Sequence, residues 1–233
     1  YVDDAFSCAH RAHASVQSIA RLLPSVAGRL MEKEIELLSR TLDSSQVPLA
    51  AVIGGKKMST KIGTLEYLVT KVQHLVIGGA MANTFLYAKG FNIGNSLCET
   101  QMTDTINNIY VEASSQGCEI ILPQDVVVAE TLEANIESEV VSVDKVPYNK
   151  LILDIGPLSI TQLGVIFERC MTVLWNGPLG AFEVPPFDTG TTAVATKVAE
   201  LTCAGRLMSV AGGGDTVAAL ECAGVADDFS YIS

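Results

Sequence analysis

Leu49-Ala50-Ala51-Val52-Ile53-Gly54-Gly55 is an apolar run that stops on a glycine pair, and the stretch after it reads as a helix. Three further stretches repeat the pattern. Leu75–Ile77 ends at Gly78-Gly79, Thr172–Trp175 at Asn176-Gly177-Pro178, and Leu207–Val210 at Ala211 and Gly212-Gly213-Gly214. Short apolar strands alternating with helices predict a parallel sheet. Right-handed crossovers put the C-terminal ends of parallel strands on one edge, so the four glycine loops are expected along one rim. In open α/β sheets that rim is where ligands bind. Glycine lets backbone N–H groups approach a phosphate, and helix N-termini add a favourable field. The plainer alternative is that each glycine only ends a strand. One loop leaves that alternative open; four on one edge argue against it.

Outward from these loops the βα rhythm continues. Helices are expected over 59–72, 80–89, 101–116, 159–169, 188–201 and 215–223. Further strands are expected at 119–122, 125–129 and 150–154, with 206–210 as the strand before the triple glycine and 139–143 as a candidate edge strand. Residues 1–23 form a short basic-apolar segment. Pro24 suits the first turn of a helix, and residues 25–43 read as one long helix. Its apolar stripe is Met31, Ile35, Leu38 and Leu42, Glu36 and Arg40 make an i,i+4 pair, and Asp43-Ser44-Ser45 ends it.

The 233 residues are 48% hydrophobic, ample for a buried core. Fifteen basic against 26 acidic residues give a net charge of −11, which argues against nucleic acid and against an anionic membrane as partners. No apolar run reaches transmembrane length. The chain opens on Tyr1 rather than Met, and it is expected to be part of a longer protein without a signal peptide. The six cysteines, Cys8, Cys98, Cys118, Cys170, Cys203 and Cys222, include no CxxC pair and read as reduced core residues of a cytosolic protein. His74 opens a strand and reads as structural. His10-Arg11-Ala12-His13 is a compact basic cluster in an acidic chain.

Three loops carry candidate chemistry. In Gly54-Gly55-Lys56-Lys57-Met58-Ser59-Thr60-Lys61, Lys57 and Lys61 are expected on one face of a helix's first turn, pointing cations at the rim. This is not a GxxxxGK[ST] loop, and both lysines also read as solvated helix charges. In Gly212-Gly213-Gly214-Asp215-Thr216, Asp215 suits a helix N-terminus as a cap, or Mg²⁺ if phosphates bind nearby. Gly212, Gly214 and Val217 trace a weak GxGxxG match whose third glycine is absent. Trp175-Asn176-Gly177-Pro178-Leu179-Gly180-Ala181-Phe182-Glu183 is a rigid loop after a strand. Glu183 there suits ribose hydroxyls, while Trp175 and Phe182 also read simply as core.

Taken together, WNGPxGxFE, the downstream GGGDT and the upstream GGxKxxxK resemble the phosphoglycerate kinase family. Tyr1–Phe6, the His10–His13 cluster and Leu151–Pro157 resemble it as well, so the likeness covers essentially the whole chain. The resemblance implies two doubly wound domains facing across a cleft, joined by a long helix. It implies that residues 1–24 are the end of a 3-phosphoglycerate domain, that 25–43 are the interdomain hinge helix, and that 48–233 are a Rossmann-like nucleotide domain. That domain is a three-layer, doubly wound parallel sheet that binds ADP or ATP with Mg²⁺. By residue, Lys57 matches the lysine on the transferring phosphoryl group, and Lys61 a nucleotide-phosphate lysine. Gly55, Gly78 and Gly79 match the adenine-side backbone. Asn176, Pro178 and Glu183 match the adenosine clamp. Asp215 matches the Mg²⁺ carboxylate, Gly213, Gly214 and Thr216 the phosphate-side loop, and Arg11 a 3-phosphoglycerate contact.

The sequence departs from the family at Lys56, where a small alanine is usual, at Ala80 for a glycine, and at Ala181 for a larger aliphatic residue. The resemblance implies a cytoplasmic enzyme, monomeric at full length, that moves a phosphoryl group between 1,3-bisphosphoglycerate and ADP. It also places most acid-substrate residues and a final glycine-rich loop outside this sequence. The chain alone is therefore expected to bind nucleotide without turnover, and to self-associate through residues 1–42. Two other functions fit the residues less fully: a non-catalytic nucleotide-binding or interaction module, and a Rossmann NAD-dependent dehydrogenase resting on Gly212–Val217.

Overall fold

A computed structural model describes residues 1–233 apart from His10, residues 44–46, and the side chains of residues 37, 38 and 40–43. The chain divides into two compact units, residues 1–45 and 46–232.

In the first unit, β1 (Val2–Asp3) pairs in parallel with β2 (Val26–Ala27), and a short helix α1 (Ile19–Leu22) lies between them in sequence. The long helix α2 is Arg29–Asp43. It starts later than residue 25 because Val26–Ala27 is extended against Val2–Asp3. Asp4 then sets the start: its Oδ1 accepts the Met31 amide at 2.8 Å, satisfying a free N–H of the first turn. Met31 of the expected stripe is buried and Ile35 is 49% exposed. Leu38, Leu42, the Glu36–Arg40 pair and the Asp43-Ser44-Ser45 stop lie outside the described side chains and residues, as does His10.

The second unit is built on a six-stranded parallel sheet in the order β11-β10-β9-β3-β4-β5. The strands are β3 (Leu49–Ile53), β4 (His74–Ile77), β5 (Glu119–Ile121), β9 (Thr172–Asn176), β10 (Met208–Ala211) and β11 (Tyr231–Ile232). From β3 the chain moves one way to β4 and β5. It later re-enters at β9, on the other side of β3, and moves the opposite way. Right-handed crossovers therefore put the two sets of helices on opposite faces. One set is α3 (Ile62–Leu68), α4 (Gly79–Ala88) and α5 (Thr103–Gln116), and the other is α6 (Pro157–Phe167), α7 (Thr189–Cys203) and α8 (Gly214–Cys222). β3 is buried at every position, as a central strand covered on both faces must be. Ala50, Val52, Val173 and Trp175 pack with Leu163, Phe167, Val194, Val198 and Leu220 of the second helix layer.

Two readings of the sequence need amendment. The runs at 125–129 and 150–154 do not join the parallel sheet. As β6 (Asp125–Ala129) and β8 (Leu151–Ile155) they pair antiparallel and, with β7 (Glu139–Ser142), form a separate sheet in the order β7-β6-β8. Its small core is Val126, Val128 and Val146. Asp125 fixes this sheet to α6, accepting the Leu158 and Ser159 amides at 3.0 and 2.8 Å. The cysteines are also not uniformly core. Cys118 and Cys170 are buried, but Cys203 and Cys222, the last residues of α7 and α8, are exposed. His74 does open a strand, with Nδ1 3.2 Å from the Glu119 carboxylate on the neighbouring strand. No helix among the described residues is long and apolar enough to cross a membrane.

Candidate functional site

The four glycine loops follow β10, β9, β3 and β4, which are consecutive in the sheet. The direction of winding reverses between β9 and β3, the position where doubly wound sheets open a crevice. There the two loops touch backbone to backbone. The Gly54 amide donates to the Asn176 carbonyl at 2.9 Å. A Cβ on Gly54 would fall 1.9 Å from the Pro178 carbonyl oxygen, and one on Gly177 would fall 2.3 Å from the Gly54 oxygen. Gly177 is also at φ +103°, which side-chain-bearing residues rarely adopt. These glycines close the gap between neighbouring loops. The Gly79 amide, at the start of α4, is spent on the Leu179 carbonyl at 2.9 Å, and Gly78 packs under Leu179.

Side chains complete the frame. Asn176 Nδ2 donates to the Gly212 carbonyl at 2.8 Å, joining the β9 loop to the β10 loop. The buried Thr216 hydroxyl accepts the Gly177 amide at 2.6 Å. Lys61 Nζ donates to the Gly54 carbonyl at 2.8 Å, to the Asn176 carbonyl at 3.2 Å, and to Asn176 Oδ1. Burial lowers the Lys61 pKa, and the nearby Asp215 carboxylate works against that shift. Lys61 is thus a strut across the rim.

Lys57 and Lys61 do not share a helical face. Lys57 is extended, at φ −128° and ψ 117°, ahead of a single 3₁₀ turn at Met58–Thr60, and α3 begins only at Ile62. The turn is held from outside. Glu99 accepts the Ser59 amide at 3.0 Å and the Ser59 hydroxyl at 2.6 Å. Those bonds hold the Glu99 carboxyl below its ordinary range, with Lys57 adding a smaller attraction.

Between the rim and the antiparallel sheet lies a cleft of about 540 Å³. Of the residues singled out from sequence, Gly55, Gly79, Pro178, Glu183 and Asp215 line it. Gly78, Asn176, Thr216 and Lys61 belong to the frame described above. Gly213 and Gly214 are exposed at the start of α8, where Gly213 has φ +96°. Arg11 belongs to the unit of residues 1–45, where its amide donates to the Cys8 carbonyl at 2.9 Å. The cleft wall is otherwise apolar, with Leu86, Leu97, Val126, Leu132 and Ile152 among its residues. A largely apolar lining that also carries the acidic side chains Glu183 and Asp215 suits a heteroaromatic base with a polar tail.

Asp154 also lines the cleft and was not identified from sequence. It is 2% exposed, and its oxygens accept the Gly190 amide at 2.6 Å and the Ile155 amide at 2.8 Å. Burial outweighs these bonds and pushes its pKa up to about 7. Nothing in Leu151–Gly156 distinguishes it from a solvated strand-end aspartate. Its burial is set by Gly180 and Gly190, whose missing side chains leave room for the carboxylate.

Among the described residues no cluster of three His, Cys, Asp or Glu side chains is placed to hold a metal ion. Asp215, exposed in the first turn of α8, offers one carboxylate. That donor set does not make a protein cage. It fits Mg²⁺ carried by nucleotide phosphates, which needs one or two carboxylates with the remaining positions filled by phosphate and water.

Comparison with known proteins agrees with this architecture. The chain is 55% identical over all 233 residues to the phosphoglycerate kinases of Methylorubrum extorquens strain PA1 and Ruegeria sp. strain TM1040, covering 58% and 59% of their lengths. It superposes over its whole length on the structure of phosphoglycerate kinase from Coxiella burnetii, with TM-score 0.89 and 42% identity, covering 59% of that chain. The corresponding values for the phosphoglycerate kinase from Pyrococcus horikoshii OT3 are 0.80, 29% and 57%. The chain thus spans less than two thirds of these relatives. With the phosphoglycerate kinase family model matching residues 1–233, this chain belongs to the phosphoglycerate kinase family.

Proposed function

We propose that the protein to which this chain belongs transfers a phosphoryl group between 1,3-bisphosphoglycerate and ADP, giving 3-phosphoglycerate and ATP in the cytoplasm. Residues 46–232 supply its nucleotide site. The observation that carries this reading is the cleft at the C-terminal edge of the parallel sheet, at the reversal between β3 and β9, together with membership of the family. The apolar wall takes the adenine, Pro178 and Glu183 hold the adenosine with the carboxylate on ribose hydroxyls, and the α8 N-terminus faces the phosphates. The exposed N-terminal amides of α8 suit an anion. Asp215 holds Mg²⁺, which when bound neutralises phosphate charge. Lys57 stabilises the moving phosphoryl group. Phosphoryl transfer depends on positioning and charge stabilisation, so a lysine fixed beside a clamped turn is what the step needs. Arg11 contacts 3-phosphoglycerate. Residues 1–24 are the end of that substrate's domain, and 25–43, helical from Arg29, form the hinge.

Alone, the 233-residue chain binds adenine nucleotide and does not turn over. Isothermal titration with ADP, MgADP and NADH, alongside a coupled kinase assay, tests this. ADP binding that strengthens with Mg²⁺, with no NADH binding and no turnover, is expected. NADH binding without ADP binding would reverse the assignment, and brisk turnover by this chain would refute the division of labour.

A further inference from the structure

Three lysines follow Gly55 within seven residues, and the structure gives each a different setting. Lys61 is committed to the Gly54 and Asn176 oxygens. Lys57 lies outside the cleft lining, its charge near Glu99. Lys56 is exposed, lines the cleft, and among the described residues makes no hydrogen bond or ion pair. It is also the one cation among the described cleft-lining residues, and it shares that lining with the carboxyl groups of Glu183, Asp215 and the buried Asp154. An anion entering such a cleft meets acidic side chains, and among the described lining residues Lys56 is the only side chain that opposes them.

We propose that Lys56 is a phosphate-contacting residue of this cleft, so that the cleft selects nucleoside di- and triphosphates over the bare nucleoside. The inference rests on the nucleotide reading above and adds a residue that reading does not use. Gly55 at φ +130° precedes a bend at Lys56, and both residues line the cleft. The four-carbon stem can lie along the apolar wall while the ammonium stays at the wet end, where a polyphosphate emerges. The site is partly open, so the attraction is screened by salt. A charge-assisted hydrogen bond to phosphate still contributes about tenfold in affinity.

Adenosine and ADP are titrated calorimetrically into the 233-residue chain and into Lys56→Met and Lys56→Arg. Methionine keeps an unbranched stem and removes the charge. The expected result is ADP binding about tenfold weaker in Lys56→Met, adenosine binding changed less than twofold, and ADP affinity restored in Lys56→Arg. The gap between wild type and Lys56→Met should shrink as NaCl is raised. Equal losses for ADP and adenosine would assign Lys56 to packing and overturn the proposal. Unchanged or tighter ADP binding in Lys56→Met would overturn it too, marking the lysine as a bystander or an obstruction. If wild type binds neither ligand, the nucleotide reading itself falls. If it binds both equally, only the role of Lys56 falls.

Discussion

Asp154 shows how one buried side chain imposes a pH dependence. Its folded pKa is pushed up to about 7, against an ordinary carboxylate value of 3.8. Between those values the folded chain holds a proton that the unfolded chain has released. Stability therefore falls as pH rises from about 4 to 7 through this group. Urea melts across that range should show the decline in wild type and a flatter profile in Asp154→Asn. The variant should also be less stable near pH 4, because asparagine accepts through one oxygen and leaves one of the Gly190 and Ile155 amides unpaired. Such an orphan costs about 1–3 kcal/mol. At the rim, Asp215→Ala should weaken MgADP more than metal-free ADP in the same titration. Lys57→Ala, made in the protein restored to the full length of its relatives, should lower turnover by roughly 10²-fold or more, the scale for losing one electrostatic stabiliser. A near-normal rate would remove Lys57 from the chemistry.

Gly54 and Gly63 have opposite consequences at the scale of the element. Alanine at Gly54 drives its Cβ to 1.9 Å from the Pro178 oxygen, a backbone atom that cannot swing away. The β3 and β9 loops must part, at about 3 kcal/mol or more, and nucleotide binding should be lost with the melting temperature lowered. Gly63 lies in α3 with open space around it, so Gly63→Ala should raise stability by about 0.5–1 kcal/mol. Denaturant melts of the pair separate the two roles. The strands and their glycine endings were legible because apolar runs closed by glycine carry a local signal, and β3, β4, β6 and β9 lie where the sequence places them. Partnership was less legible. The valine-rich run 125–129 has the composition of a parallel core strand, and only its pairing with β7 and β8 puts it in another sheet. β11 was invisible because two residues at a sheet edge carry no pattern. The broken helix after Lys57 was hidden because its cause, the Ser59–Glu99 clamp, spans 40 residues of sequence. Lys61 read as a cation free to face the rim or the solvent for the same reason, since its acceptors come from loops brought together by the fold.

At the scale of the whole molecule the two units differ in how they are held. The second has both a parallel sheet covered on two faces and a satellite antiparallel sheet, and residues 46–233 expressed alone should melt cooperatively. The first has two-residue strands, and Val2, Leu22, Val26 and Leu30 are each more than half exposed. Hydrogen exchange of the 233-residue chain should therefore show residues 1–20 exchanging much faster than β9. Exchange in residues 1–20 as slow as in β9 of a monomer would contradict this. Concentration-dependent sedimentation would show whether those apolar residues are covered by a second copy.

The pairing of β3 with β9 sets an order in time. β3, β4 and β5 can assemble from neighbouring sequence as the polypeptide leaves the ribosome. The strand that closes the sheet against β3 is not made until residues 172–176, and Asp215 comes later still. A site assembled from both sides of that junction does not exist in any shorter nascent chain. Ligand can stabilise only what it binds. On the nucleotide reading proposed above, ligand in the cell would give no help to early intermediates, and the slow long-range closure between β3 and β9 would complete on the strength of the chain's own contacts.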